Sequence, residues 1–251
     1  MLHSNAGVDV DAVLVDCARI VQAKKNARHR FVTDVARERP SVAALGRWAL
    51  QKYHQVYLQN RIFSIIHSKS DDEDVRQFMV EQLVAEETSI TCGSDSHYNL
   101  MRRFAQACGV PPGQFNDVTI APQVRVYVDT LLAIMREEPV AVALLAVYAI
   151  ESQSGESVGK LLAALRADGR FTEAELEWFA VHADADDDHA EEGLRLVRKY
   201  AGDVPDFATR APRTVERICD AWLVLHDFYH SLLAGSATQA RTAPPHAAAV
   251  R

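Results

Sequence analysis

The sequence lacks the usual marks of secreted, disulfide-stabilised and membrane-spanning proteins. Its four cysteines are widely separated and include no Cys-x-x-Cys pair, so neither a disulfide framework nor a zinc knuckle is expected. No apolar run approaches the ~20 residues that cross a bilayer. The N-terminus has no basic region followed by an apolar region and a cleavage site, the order found in a signal peptide. We therefore expect a cytoplasmic protein that does not contact membranes.

Basic side chains are also in the minority. The 251 residues include 27 Lys and Arg against 34 Asp and Glu, which gives a net charge of −7. Because nucleic-acid phosphates are bound by a positive field, we expect no nucleic-acid partner. Alternating runs of β-branched residues, which are typical of strands, are missing as well.

Apolar residues instead recur at helical spacing, which predicts an all-α protein. No shift in composition divides the chain, so we expect a single-domain bundle of about seven helices within residues 1–235. The predicted helices cover about 10–37, 42–67, 73–108 with an interruption at 91–96, 122–136, 140–167, 172–201 and 213–233. Residues 236–251 have little to bury and are expected to be disordered.

The most informative stretch lies in the sixth predicted helix. His182, Asp186 and His189 are spaced i, i+4 and i+7, which places two imidazoles and one carboxylate on a single face. A solvated helix face usually mixes acids with Lys or Arg, yet this sequence has no basic residue between Arg170 and Arg195. The spacing therefore predicts metal ligands, and the alternative is a charged surface helix.

Two other places combine acidic groups with apolar surroundings. Glu86 and Glu87 precede His97, and Glu151 directly follows the apolar run at 140–150. Since a buried carboxylate is costly without a partner, these residues are further candidate ligands. A carboxylate-rich set with several histidines suits iron or manganese better than zinc. Facing helices of a bundle can project such ligands inward.

These three segments together resemble the heme-oxygenase-like diiron oxidases over about residues 10–233. The matching motifs are His-x3-Asp-x2-His, a Glu-Glu pair followed by a His, and a single Glu after an apolar helix. The resemblance implies a heme-oxygenase-like fold, two Fe(II) ions and dioxygen as a cosubstrate, and a mixed Mn/Fe pair is an open alternative. It also implies six metal ligands: Glu87, His97, Glu151, His182, Asp186 and His189.

The first of these ligands depends on the helical register. The family pattern, with ten residues from Glu to His, selects Glu87. On a straight helix an offset of eleven residues, close to three full turns, would instead place Glu86 beneath His97. Gly93 and its polar neighbours predict that the helix is interrupted there. We therefore choose Glu87, with Glu86 as the alternative.

Members of the family that this sequence resembles oxidise amino acids or fatty acids by N-oxygenation, desaturation or C–C cleavage. We expect oxidative C–C cleavage or desaturation of a free aliphatic amino acid, lysine-derived or isoleucine-like, in a natural-product pathway. Arg61 and Tyr57 are candidate substrate-binding residues, because a guanidinium can hold a carboxylate bidentately. A salt bridge to a neighbouring helix is the other explanation for Arg61. An external electron donor and a homodimer are compatible with the sequence.

Two other classes of function stay open, besides N-oxygenation and fatty-acid oxidation within the same family. A thiaminase-like pyrimidine hydrolase would use a cysteine nucleophile, for which Cys92 and Cys108 are the candidates. A helical bundle could also store metal without turning over a substrate. Metal analysis distinguishes the hydrolase from the oxidase, and substrate-dependent oxygen consumption distinguishes the storage protein from the oxidase.

Overall fold

Helices make up the regular secondary structure of the protein. The computed structural model describes residues 8–183 and 188–234, with side chains for all of these except 188–190. The α-helices are α1 Val10–Ala23, α2 Arg30–Glu38, α3 Val42–Gln59, α4 Arg61–Lys69, α5 Glu73–Glu87, α6 His97–Ala107, α7 Gln114–Asp117, α8 Pro122–Glu137, α9 Val140–Asp168, α10 Glu177–Ala183, α11 Asp188–Tyr200 and α12 Phe207–Ala234. The predicted all-α class is confirmed, although several predicted helices are divided.

These divisions occur where the sequence gives only a weak signal. A short 3₁₀ turn, Asn26–Arg28, separates α1 from α2, and Asn60 alone separates α3 from α4. Asn60 keeps helical backbone angles (φ −55°, ψ −20°), so the division occurs there without a glycine or a proline. The third predicted helix ends at Glu87, and α6 starts only at His97. The interruption predicted at 91–96 is thus a longer loop, 88–96.

Helix α9 is the central element of the bundle. It runs for 29 residues and packs against α2, α10, α11 and α12. Its first half is almost entirely small and apolar, which lets neighbouring helices approach closely, and residues 141–147 are all buried. It ends at Gly169, whose positive φ of 72° allows its N–H to donate to the carbonyls of Arg166 and Leu165. Glu151 therefore lies near the middle of this central helix.

An aromatic cluster fixes α3, α6 and α10 against each other. Phe179 on α10 contacts Phe104 on α6, with ring centroids 4.9 Å apart, and Trp48 on α3, at 6.0 Å. All three side chains are buried. Aromatic side chains bury large areas and prefer such tilted and edge-to-face geometries, so this cluster sets the positions of the helices that carry the site.

One hydrophobic core extends through the described residues, from Val13 to Leu233. Within the described ranges, no helix is long and apolar enough to cross a membrane. Residues 236–251, for which disorder is predicted, lie outside the described part of the chain.

Candidate metal centre

Three potential ligands converge from three different helices. Glu86 lies in the last turn of α5, His97 is the first residue of α6, and His182 lies near the end of α10. One donor atom from each lies within 4.8 Å of the other two. The loop at 88–96 reverses the chain between α5 and α6, which brings the first two of these residues together.

Glu86 and His97 form a close acid–imidazole pair at the centre of this group. Oε2 of Glu86 lies 3.0 Å from Nδ1 of His97. In spite of this distance, Nδ1 is a buried atom without a hydrogen-bond partner among the described residues. Burial opposes a charge on both groups, but their mutual attraction lowers the pKa of Glu86 and raises the pKa of His97 to about 9. A metal ion bound by both residues would be held by the lone pairs of the Glu86 carboxylate and of Nδ1 of His97.

His182 is oriented as a metal ligand. Its Nδ1–H donates to the carbonyl oxygen of Trp178 at 2.7 Å, which leaves Nε2 with a free lone pair. Metal-binding histidines commonly use their second nitrogen in this way. The ring packs on the indole of Trp178 with centroids 4.2 Å apart, and the ring of His97 lies at 4.6 Å. Burial, followed by repulsion from His97, lowers the pKa of His182 to about 3, so the imidazole is neutral as a metal requires.

Glu177 connects the loop at 88–96 to the two histidine-bearing helices. Its carboxylate accepts hydrogen bonds from the backbone N–H of Ser94 at 2.7 Å and from the hydroxyl at 2.6 Å. Arg103 on α6 donates to the same carboxylate at 2.5 Å. Gly93 makes the preceding turn with φ of 76°, and a Cβ there would lie 3.0 Å from Leu100. These contacts hold α6 and α10 in a fixed relation.

Beside the three ligands lies a cavity of about 60 Å³. Its walls come from α2, α3, α5, α9, α10 and α12, and include Glu86, His182 and Glu151. Burial, followed by repulsion from Glu86, raises the pKa of Glu151 to about 7. A carboxylate that resists ionisation in the metal-free protein is expected where a cation normally compensates its charge.

Two further polar residues face the same cavity. Lys52 on α3 lines it, and burial lowers its pKa to about 8, against the opposing effects of Glu86 and Glu151. His226 on α12 donates its Nδ1–H to the carbonyl of Trp222 at 2.9 Å. Burial lowers the pKa of His226 to about 3, so it is a neutral hydrogen-bond acceptor at Nε2.

The donor set fits iron or manganese. Two carboxylates and two imidazoles from the described residues offer mixed oxygen and nitrogen ligation, and the adjacent cavity leaves coordination positions open. The orphaned Nδ1 of His97 and the oriented Nε2 of His182 are the observations that favour an ion over a purely structural cluster.

The structure brings together some predicted ligands and not others. His97 and His182 adjoin each other, and Glu151 lines the same cavity. Asp186 and the side chain of His189 lie outside the described residues. Glu86, rather than the chosen Glu87, lies against His97. Because the chain leaves α5 in an extended conformation at Thr88 (φ −135°, ψ 175°), helical phase does not decide which acid reaches His97.

The two predicted substrate-binding residues are not part of this cavity as the described residues form it. Arg61 is exposed, and its Nε donates to the carbonyl of Leu58 at 2.9 Å. Tyr57 is 52% exposed and stacks on Tyr53. Both side chains leave their helices on the outer side, so neither lines this cavity, and their role in substrate binding stays a prediction.

Lys52 was missed by the sequence reasoning, although a signal exists. Trp48, Lys52 and Gln59 share one stripe of α3 at i, i+4 and i+11, and all three line the cavity. A lysine on the interior stripe of an aromatic-rich helix is unusual, because an isolated ammonium is costly to bury.

The sequence and the fold both have counterparts in known proteins. The profile of a family described as iron-containing redox enzymes matches residues 46–223. A 4-aminobenzoate synthase from Nitrosomonas europaea is 25% identical over 240 residues, covering 89% of this chain and 94% of the relative. Another 4-aminobenzoate synthase, from Chlamydia trachomatis, is 25% identical over 78% of this chain and 84% of its own length.

Solved structures share the fold at low sequence identity. A TenA homolog from Pseudomonas syringae superimposes with a TM-score of 0.72 at 16% identity, covering 88% of this chain and 92% of that protein. A domain with a heme oxygenase-like fold from Shewanella denitrificans gives 0.65 at 14% identity, covering 97% and 99%. The heme-oxygenase-like fold predicted from the sequence is confirmed.

Proposed function

Since the chain belongs to the family of iron-containing redox enzymes, we propose that it is a dioxygen-using oxidase with two Fe(II) ions. The convergence of Glu86, His97 and His182 beside a cavity that also contains Glu151 is the observation that carries this proposal. Asp186 and His189 would complete a set of six ligands. A Mn/Fe pair would use the same ligand types.

The ions would supply the electrons that reduce dioxygen, so that the substrate is oxidised. The chain's own residues hold and shield the site. The carbonyl of Trp178 keeps His182 in the tautomer with a free Nε2, while the indole covers one face of the imidazole. Trp178, Ile150 and Val158 provide apolar walls that limit water. Ion binding would also displace the proton that Glu151 holds near neutral pH.

For the substrate, we propose a free aliphatic amino acid that undergoes oxidative C–C cleavage or desaturation. A small cavity with one cation and a neutral histidine suits a compact molecule bearing both acidic and amino groups. The names of the two relatives refer to an amino-substituted carboxylic acid, which is of the same chemical type. An external electron donor would complete the cycle.

Metal content tests the ligand assignment. We expect iron-loaded wild type to hold two equivalents, Glu86→Ala to lose at least one, and Glu87→Ala to keep both. Glu87 is a matched control, since it is the adjacent acid on the same helix end. Full occupancy in Glu86→Ala together with loss in Glu87→Ala would reverse the assignment.

Oxygen consumption tests the reaction. Protein loaded with Fe(II) under argon is mixed with dioxygen and a panel of aliphatic amino acids, including lysine and isoleucine. We expect one or a few to accelerate oxygen uptake and to yield a cleaved or desaturated product. Iron binding without any substrate-dependent oxygen uptake would instead indicate a metal-storage protein. If fatty acids, tested in the same way, are the only compounds that accelerate uptake, the substrate is a fatty acid and not an amino acid.

A hydrolase is the second candidate, and one contact favours it. Sγ of Cys92 lies 3.2 Å from Nε2 of His97, a distance that suits a thiol and its base. Cys108 is a poorer nucleophile, because burial raises its pKa to about 12. Hydrolysis of an aminopyrimidine by iron-free protein, abolished in Cys92→Ser, would establish this alternative.

A further inference from the structure

Lys52 is a half-buried cation in the cavity wall that forms no ion pair with the described residues. It projects from the cavity-lining stripe of α3, and its Nζ lies 5.1 Å from the ring centroid of Trp178. Its one hydrogen bond is to the neutral Oε1 of Gln55, at 3.2 Å. Among the residues that the structure describes, no carboxylate forms an ion pair with this ammonium group, although Glu86 and Glu151 act on it from a distance.

The neighbours of Lys52 are held in place by other contacts. The hydroxyl of Tyr229 donates to Oε1 of Gln55 at 2.8 Å, and Nε2 of Gln55 donates to Gln59 at 3.0 Å. Gln55 is a neutral amide, so its hydrogen bond to Lys52 does not compensate the charge of the ammonium. The side chain of Lys52 is half-buried, and desolvation of an ammonium is costly without a counter-charge, so its position in the cavity wall points to an anionic ligand that compensates it.

Glu86 and Glu151 are not that ligand when iron is bound. Two Fe(II) ions carry more positive charge than the carboxylates of Glu86, Glu151 and Asp186 carry negative charge. Those carboxylates would then be directed at the ions, and the cavity with Lys52 would have a positive field. A positive, partly apolar cavity of this size favours a small anion with an aliphatic portion.

We propose that Lys52 binds the carboxylate of the substrate and so selects small carboxylates over neutral molecules of the same shape. This inference rests on the function proposed above. A second lining residue supports it, because neutral His226 offers an acceptor for an amino group and adds no second cation. Lys52 is in this sense a specificity residue that orients the substrate and does not exchange protons with it.

Equilibrium binding tests the role of Lys52 without turnover. The ligands are aliphatic carboxylates of three to six carbons, such as butyrate, each compared with its amide, such as butyramide. Binding is measured by calorimetry on the protein loaded with Fe(II) under argon and on the iron-free protein. We expect wild type to prefer butyrate to butyramide on the order of tenfold, as a charge-assisted hydrogen bond predicts.

Three variants identify the source of the preference. We expect Lys52→Met to lose it, Lys52→Arg to keep part of it, and Lys160→Met to keep all of it. Lys160 is the matched control, because it is an exposed lysine on α9 that pairs with Glu156. Circular dichroism and thermal unfolding confirm that each variant is folded, and retention by Lys52→Arg shows that charge rather than folding is responsible.

Several results would overturn the inference. If Lys52→Met keeps the preference for butyrate over butyramide, the carboxylate binds the iron instead of Lys52. If Lys160→Met loses as much of that preference as Lys52→Met does, the effect is not specific to the cavity. The inference also fails if wild type binds none of the carboxylates. If carboxylate selectivity persists but no substrate increases oxygen uptake, the oxidase proposal fails and the role of Lys52 stands. The two failures are therefore distinguishable.

Discussion

Glu151 should destabilise the metal-free protein, so that Glu151→Gln folds more stably while it loses iron. The carboxyl has a pKa of about 7 in the fold, against an ordinary value of 4.5. As pH rises, the unfolded chain therefore releases this proton first. Stability falls between about pH 4.5 and 7 and then stays level, because an acid with a raised pKa favours the unfolded state once it ionises.

The size of the effect follows from the pKa. Each pKa unit corresponds to about 1.4 kcal/mol, so the ionised carboxylate costs up to about 3 kcal/mol above neutral pH. Hydration of the part of the carboxyl that faces the cavity lowers this cost to roughly 1 to 3 kcal/mol. We expect Glu151→Gln to raise the melting temperature by several degrees at pH 8, with little change near pH 4.5.

Urea and thermal unfolding in the presence of a chelator, from pH 5 to 8, measure this difference. Glu156→Gln is the control on the same helix: Lys160 and then Lys25 lower the pKa of Glu156 to about 2. Loss of these exposed pairs should cost less than about 1 kcal/mol, which is the opposite sign. Equal or lower stability of Glu151→Gln than of wild type at pH 8 would refute the reasoning.

Three further predictions concern the core, a helix end and the thiol. Phe179→Ala should cost about 3 to 5 kcal/mol in urea unfolding, since it empties the centre of the aromatic cluster, and a cost below 1 kcal/mol would contradict that packing. Gly169→Ala should cost about 1 kcal/mol because of its positive φ, whereas Gly202→Ala, in open space at an ordinary φ, should be nearly neutral. Cys92→Ser should keep its iron and its oxygen uptake, and loss of iron with retained folding would make the thiol a ligand.

Much of the fold follows from periodicity in the sequence. The apolar run at 140–150 and the glycine at position 169 define α9 almost to the residue, because a buried helix with a left-handed terminus leaves a clear pattern. The division at Asn60 leaves no such pattern, since this residue keeps helical backbone angles and is neither a glycine nor a proline. Such a break depends on packing between distant helices rather than on local preference.

The site was predictable by residue type and less so by register. Glu151 was selected because an acid in an apolar helix requires a partner, His182 because of its helical spacing to other potential ligands, and His97 because it follows a Glu-Glu pair as in the resembled family. The choice between Glu86 and Glu87 depended on the path of the loop at 88–96, which a helical wheel does not contain. Lys52 was missed because its neighbours on the cavity wall come from helices that are far away in sequence.

The clasp formed by Glu177, Ser94 and Arg103 has a consequence for the kinetics of metal exchange. The loop it closes lies directly between two candidate ligands, Glu86 and His97, and opening it would separate them without disturbing the buried core. We expect iron to enter and leave by this local opening, so that its residence time follows the loop rather than global unfolding. Arg103→Ala should then shorten the residence time of the ion much more than it lowers the melting temperature.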